Sequence, residues 1–190
     1  MKAVILAEIL FILCAIAGFG LRVGLNFFGI PLVIIGFLGL AGIYLQKGFR
    51  PVRLNNQPDA AADRFFMPAY KLGHILFAIA MLGLLFKIML WNTAFLGFGV
   101  TFMLVFVLFV SIQVLKEKIF FKKLLVKSIL IATITLSFYQ ASLATLINIY
   151  YRDKPEFAKV FIEYRQDPKN ETKKKNYLEA RNKLLEKDAK

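Results

Sequence analysis

Residues 94–115 read AFLGFGVTFMLVFVLFVSIQVL, a stretch in which no side chain is charged. The hydrocarbon core of a bilayer is about 30 Å thick, and a helix that crosses it needs about 20 mostly apolar residues. A helix of average length in a soluble domain is only about 11–12 residues long. The stretch therefore predicts a membrane-spanning helix, and this prediction decides the class of fold.

Four further stretches have the same character. Together with the first, the predicted spans are residues 3–20, 27–45, 72–90, 94–115 and 124–151. We therefore predict an all-α, polytopic membrane protein whose five-helix transmembrane domain covers residues 1–151. Pro31 lies near the start of the second span, where a proline can kink a helix.

Composition supports this prediction and excludes other classes. The chain of 190 residues is 58% hydrophobic and carries a formal net charge of +13. The two properties are separated along the chain, because residues 124–151 hold a single charge, Lys127, whereas residues 152–190 are densely charged. Such segregation excludes a soluble globular enzyme and an intrinsically disordered chain. Basic and acidic residues alternate in the tail, which is typical of a solvated helix and not of a nucleic-acid site.

Scarce residue types exclude most cofactor chemistry. The chain has one cysteine, Cys14, and one histidine, His74. A structural zinc needs four Cys or His ligands and a catalytic zinc usually three protein ligands, so neither site is expected. No nucleotide-binding, hydrolase or zinc-protease motif is present. We expect no catalytic residue, no metal and no cofactor.

The distribution of Lys and Arg predicts an orientation. The loops at 46–71 and 116–123 are basic, whereas the turn at 91–93 is uncharged. Positively charged loops remain in the cytoplasm. The N-terminus is therefore expected in the cytoplasm, and five spans place the tail, residues 152–190, on the periplasmic side of a bacterial inner membrane.

The first span has an alternative interpretation. Lys2, the apolar run that follows it and Ala15-Ile16-Ala17 resemble a secretory signal with its cleavage site. Glu8 interrupts the run, which favours a retained helix. Both alternatives stay open.

Three ionisable residues lie within predicted spans at similar depth near the cytoplasmic face, namely Glu8, His74 and Lys127. Ionisable groups inside a membrane are costly and suggest function. One hypothesis is an ion- or proton-handling cluster with Glu8 as the carrier. The other is a structural pair of Glu8 and Lys127, with Lys127 reaching partly towards the interface. We favour the pair, because neither group reaches the bilayer centre.

The fifth span is the most polar. At 100° per residue, small polar side chains line one narrow face, namely Thr133, Ser137, Gln140 and Asn148. A second set lies opposite, namely Ser128, Thr135, Tyr139 and Ser142. Such residues allow close approach and hydrogen bonds between helices, so we predict two helix neighbours. A water-filled conduit along the first face is the alternative.

The tail is predicted to form two amphipathic helices, beginning at Pro155 and at about Glu171. The first helix carries an apolar stripe at helical spacing, namely Phe157, Val160, Phe161 and Tyr164. Thirty-nine residues are too few for a core of their own. We therefore expect this stripe to bind a partner protein or the membrane surface.

Residues 83–94, GLLFKIMLWNTA, resemble a known hairpin motif. The motif is G-x-x-F-K-I-x-H-W-P-G-A, in the membrane subunit of the Bacteroidota gliding-motility and type 9 secretion motor and in related small membrane proteins of that phylum. Leu90 stands where the motif has His, and Asn92-Thr93 where it has Pro-Gly. Span 94–115 also lacks the membrane-embedded acid that the motor subunit needs. The resemblance implies a Bacteroidota inner-membrane origin and a shared hairpin, but no motor function.

Within this hairpin, Lys87 and Trp91 lie one turn apart. Aromatic rings and lysines are typical anchors at the headgroup level of a membrane. We therefore predict that the two side chains form an interface anchor pair.

From these features we expect a non-enzymatic accessory or scaffold subunit of an inner-membrane assembly, whose partners are the bilayer and other membrane subunits. The alternative is a small transporter or ion-conducting subunit that uses Glu8, His74, Lys127 and the polar face of the fifth span. A third hypothesis is a membrane enzyme acting on lipid-linked substrates. It is disfavoured because Glu8 and His74 provide the single carboxylate–imidazole pair within the spans.

Overall fold

The computed structural model of the chain describes residues 2–23, 29–50, 65–91, 94–116 and 121–188, and these contain helices and no strand. The helices are α1 (Lys2–Val23), α2 (Gly29–Phe49), α3 (Phe66–Ile88), α4 (Ala94–Leu115), α5 (Lys122–Gln140), α6 (Leu143–Tyr150), α7 (Pro155–Gln166) and α8 (Glu171–Asp188). Helices α1 to α5 are long and apolar enough to cross a membrane. The predicted all-α class is confirmed for the described residues, and five of their helices are long and apolar, as predicted.

Helix boundaries follow the predicted spans closely in some places and not in others. Helix α4 matches 94–115, whereas α3 begins at Phe66, six residues before the predicted start at 72. Pro31 is the third residue of α2, where a backbone N–H has no acceptor within the helix, so the proline removes no hydrogen bond there. Parts of the predicted connections, 51–64, 92–93 and 117–120, lie outside the described residues.

The predicted fifth span, 124–151, is not one helix. Helix α5 ends at Gln140, Ala141 and Ser142 are extended with ψ of 122° and 154°, and α6 begins at Leu143. The Ser142 hydroxyl accepts a hydrogen bond from the Thr145 backbone N–H at 2.9 Å and so caps α6. A serine cap stabilises a new helix start, which explains the break.

Helix α3 lies at the centre of the bundle. It packs against α2, α4 and α5, while α1 packs mainly on α2. Contacts at the two ends show that consecutive long helices run in opposite directions. At one end, called the Glu8 end, the start of α1 meets the end of α2 and the start of α5 through Glu8, Lys47 and Lys127.

At the opposite end, called the Arg22 end, the last turns of α1 and α3 meet α6. The Tyr150 hydroxyl donates to the Ile88 carbonyl oxygen at 3.1 Å. The Arg22 guanidinium lies 4.7 Å from the centroid of the Tyr150 ring. Helix α6 therefore closes the bundle at this end.

Two glycines allow the backbones of α1 and α2 to touch. A Cβ on Gly36 would lie 2.5 Å from the backbone N of Ala15, and a Cβ on Gly18 would lie 2.5 Å from the backbone N of Val33. Real Cβ atoms do not approach backbone that closely. Small residues at such crossings are typical of helix pairs in membranes, where close packing replaces the hydrophobic effect as the driving force.

Candidate functional site

The structure gathers polar side chains from two helices, α2 and α5, around the Glu8 carboxylate of α1. Lys127 of α5 and the Tyr44 hydroxyl of α2, at 2.9 Å, both donate to Glu8 Oε1. Lys47 of α2 donates to Oε2. These four residues, called the Glu8 cluster, satisfy both carboxylate oxygens and tie α1 to α2 and α5.

The cluster is partly enclosed and carries an excess of positive charge. The side chains of Glu8, Lys47 and Lys127 are 15%, 22% and 30% exposed. Lys127 Nζ also lies 4.5 Å from the centroid of the Tyr44 ring, within the range of a cation–π interaction. Two ammonium groups face one carboxylate, so the net charge of the cluster is +1.

His74 belongs to an aromatic group beside the cluster. The imidazole is 4% exposed and its Nδ1 donates to the Tyr70 carbonyl oxygen at 2.8 Å. Its ring centroid lies 4.2 Å from that of Tyr70 and 6.2 Å from that of Tyr44. The structure therefore brings Glu8 and Lys127 into contact, but it gives His74 no hydrogen bond to Glu8.

This arrangement favours a fixed ion pair over acid–base chemistry. Glu8 Oε1 accepts two hydrogen bonds and Oε2 accepts one, and two of the three donors are ammonium groups that hold the carboxylate in place. Among the described residues no three His, Cys, Asp or Glu side chains lie close enough together to hold a metal ion.

Sequence reasoning did not include Lys47 and Tyr44 in the cluster. The sequence pattern places Lys47 in the predicted 46–71 loop, whereas α2 continues to Phe49. The two side chains are three residues apart and so lie on one face of the helix. A longer α2, read together with this spacing, is the signal that could have found them.

The second polar face predicted for the fifth span is buried only in part, because Tyr139 is 51% exposed and Ser142 is exposed as well. Ser128 and Thr135 are 0% exposed, and their hydroxyls donate to the carbonyl oxygens of Leu124 and Ile131. Four side chains on the opposite side, called the outer stripe, are exposed, namely Thr133, Ser137, Gln140 and Asn148. Helix α5 packs against two helices of this chain, α3 and α4. Within the described residues the exposed outer stripe lines no conduit between helices.

The apolar stripe of the tail is covered by the chain itself. Phe157 is 8% exposed, and its ring centroid lies 4.8 Å from that of Tyr151. Tyr177 of α8 stacks on Phe161 at 5.1 Å and on Tyr164 at 4.7 Å. Val160 is half-buried. The expectation that this stripe needs an external partner is corrected, because α7 and α8 fold against each other and against the end of α6.

The two residues of the predicted anchor pair, Lys87 and Trp91, do not both lie at the surface. Lys87 is 5% exposed, because α3 is central, whereas Trp91 is 48% exposed. Leu90 has φ of 58°, and the Trp91 N–H donates to the Phe86 carbonyl oxygen at 2.8 Å, which is a Schellman ending of α3. The Trp91 ring then packs on Phe86 with centroids 5.4 Å apart. Lys87 does not extend to the surface as predicted.

No family model, curated protein or solved structure matches this chain. The observations define a class: an all-helical bundle with five helices that have the length and composition of membrane spans. Any more specific role rests on the arrangement of the polar residues described above.

Proposed function

We propose that this protein is a non-enzymatic accessory or scaffold subunit of an assembly in the bacterial inner membrane. The observation that carries the proposal is the outer stripe. Its four polar side chains are exposed on α5 and α6, although α5 has the length and composition of a membrane span. Polar residues on such a helix typically hydrogen-bond to a neighbouring helix.

Comparison with α1 supports this interpretation. Among the described side chains, the exposed face in the first half of α1 is aliphatic and includes Ile5, Leu6, Ile9 and Leu10, which are 49–70% exposed. That composition suits contact with lipid. The outer stripe departs from it, which favours contact with protein.

The four side chains of the outer stripe differ in the hydrogen bonds that they already make within the chain. The Thr133 and Ser137 hydroxyls each donate to a carbonyl of their own helix at 2.9 Å. The carboxamides of Gln140 and Asn148 make no hydrogen bond to any other described residue. A carboxamide offers two donors and an acceptor. We therefore assign these two residues the largest share of the contact with a partner helix.

A photoreactive residue placed at Ser137 in living cells is expected to cross-link to another membrane protein. The same residue at Leu6, which is 70% exposed on the aliphatic face of α1, is the control and should yield lipid adducts only. Gln140→Leu with Asn148→Leu should reduce the protein cross-link severalfold, because the carboxamides are removed while the helix stays compatible with lipid. Equal protein adducts from both positions, or no effect of the leucine pair, would contradict the scaffold function.

The proposed location is the inner membrane, with the N-terminus cytoplasmic and the tail periplasmic. It rests on the basic residues at 50–65, between α2 and α3, and at 116–121, between α4 and α5. Helices α7 and α8 would then form a periplasmic helical hairpin next to the end of α6.

Cysteine labelling tests this orientation. In a Cys14→Ala background, an impermeant thiol reagent applied to intact cells is expected to label Lys169→Cys, which is exposed between α7 and α8. It should not label Asn55→Cys, in the 46–71 loop, until the membrane is permeabilised. Labelling of position 55 in intact cells would show that the topology is the opposite one and that the Glu8 cluster lies on the outer side.

A further inference from the structure

A half-open apolar slot lies between α1 and α5. The two helices touch at the Glu8 cluster and again where the Phe19 and Phe138 ring centroids are 5.6 Å apart, but they do not pack along their length. Between these contacts lies a cavity of about 380 Å³. Its size falls within the range of roughly 300–1,000 Å³ that is usual for small-ligand sites.

The walls and floor of the slot are almost entirely apolar. Its floor is formed by buried residues of α2 and α3, such as Leu40 and Leu84, at 4% and 1% exposure. Its rims are the exposed residues Ile12 of α1 and Ile134 of α5, at 39% and 41%. The slot therefore opens sideways, towards the surface that the five apolar helices present to their surroundings.

The slot is about as long as the acyl chains of one membrane leaflet. Glu8 and Phe19 are separated by eleven residues on α1, and Lys127 and Phe138 by the same number on α5. At 1.5 Å per residue this spacing is about 16 Å. Half of a hydrocarbon core of about 30 Å is about 15 Å. An acyl chain of this length would fit the slot, which begins six residues into α1 and ends four residues before its last residue.

Charge distinguishes the two ends of the slot. The Phe19 end is closed by aromatic rings, whereas the other end carries the Glu8 cluster with its net charge of +1. Lys122 and Lys123 are exposed at the start of α5, about one turn beyond Lys127. The positive charge at this end attracts a negatively charged headgroup more strongly than a zwitterionic one.

We infer that the slot binds an anionic phospholipid of the surrounding bilayer, with one acyl chain between α1 and α5 and the phosphate headgroup near Lys47 and Lys127. The lipid would fill the space that α1 and α5 leave between them. It would link these helices along their length, where the protein itself provides contacts only at the two ends.

The test uses the full chain in nanodiscs of phosphatidylcholine that contain a trace of photoreactive lipid. The probe is phosphatidylglycerol with a diazirine midway along one acyl chain, and the comparison lipid is phosphatidylcholine with the same chain. We expect adducts at slot residues such as Ile12, Leu84 and Ile134. We expect the adduct yield to be about fivefold higher with phosphatidylglycerol than with phosphatidylcholine. This is the factor in affinity that a single basic residue near an anionic membrane contributes.

Variants separate a bound lipid from general contact with the bilayer. Ile12→Trp and, independently, Ile134→Trp should fill the slot and abolish most of the adducts. The matched control is Leu10→Trp, because Leu10 is 58% exposed on α1 but does not line the slot. Lys127→Gln should remove most of the preference for phosphatidylglycerol.

Three results would overturn the inference. They are equal yields from the two lipids, adducts spread evenly over exposed positions that include Leu10, and equal losses in all three tryptophan variants. Exclusion of both probes in wild-type protein would show that another occupant, such as a partner helix, fills the slot. None of these results depends on the outer stripe, so the scaffold function and the lipid site can fail separately.

Discussion

Replacing Glu8 with Gln is expected to lower the thermal unfolding temperature of the protein in detergent by roughly 5–10 °C. The carboxylate pairs with Lys47 and Lys127, so its neutral analogue leaves two ammonium groups side by side without an anion. Breaking a fully buried ion pair costs about 3–5 kcal/mol. The three side chains are 15–30% exposed, which reduces the expected cost to about 2–3 kcal/mol.

A surface pair in the same chain provides the control. Glu171 lies 3.7 Å from Lys174 in α8, and its side chain is 86% exposed. Exposed pairs contribute only about 0–1 kcal/mol. Glu171→Gln should therefore leave the unfolding temperature nearly unchanged, while Glu8→Gln lowers it.

A double variant checks the origin of the effect. Adding Lys127→Met to Glu8→Gln removes one of the unpaired ammonium groups, so part of the lost stability should return. If Glu8→Gln instead keeps full stability and abolishes a proton or ion flux measured in liposomes, the ion-conducting alternative is correct and the structural pair is wrong.

The long apolar helices were predictable because the signal is local. A run of apolar residues long enough to cross a bilayer requires no knowledge of neighbouring helices, and α4 coincides with its predicted bounds. The break at Ala141 and Ser142 was not predictable in the same way. Serine is common within membrane helices, and only the cap on the Thr145 N–H shows that Ser142 begins a new helix.

Pairing between distant helices was predictable only where the residue type is rare. Glu8 and Lys127 attract attention because each is a charge within an apolar span. Tyr44 carries no such signal, since tyrosine is common near membrane interfaces. The covering of Phe161 by Tyr177 could not be inferred either, because it depends on how α7 and α8 fold against each other. A stripe at helical spacing shows which face is buried, but not what covers it.

The same distinction explains the outer stripe. Helical spacing places Thr133, Ser137 and Gln140 on one face of α5, while Asn148 lies beyond the break, on α6. The sequence could not tell which polar face of the fifth span points into the bundle. Packing against α3 and α4 buries Ser128 and Thr135 and leaves Thr133 and Ser137 outside. The periodicity of the sequence shows which residues share a helix face. The packing of the helices decides which of these faces stays exposed.

Replacing Gly36 with Leu is expected to be at least as disruptive as the loss of the carboxylate. Its Cβ alone would lie 2.5 Å from the backbone N and 2.7 Å from the Cα of Ala15, and a backbone cannot move aside as a flexible side chain can. Overpacking a well-packed core costs about 1–3 kcal/mol. Contact with backbone places this variant at or above the upper end of that range. We expect the unfolding temperature to fall by about 10 °C.

Gly42 is the matched control, because it lies on the same helix and a Cβ there would meet no atom within 4 Å. Gly42→Leu should therefore be neutral or slightly stabilising, since glycine is a poor helix former. Equal losses in the two variants would show that leucine harms α2 for reasons unrelated to the contact with α1.

A double-mutant cycle connects this crossing to the Glu8 cluster. Ala15 and Glu8 are seven residues apart on α1, about 10 Å along the helix axis. A helix pushed away from α2 at Ala15 should also move the carboxylate away from Lys47. Glu8→Gln should then cost clearly less in the Gly36→Leu background than in the wild type, whereas its cost in the Gly42→Leu background should be unchanged. Strict additivity in both backgrounds, as measured by thermal unfolding, would show that the ion pair does not depend on the close approach of the two helices.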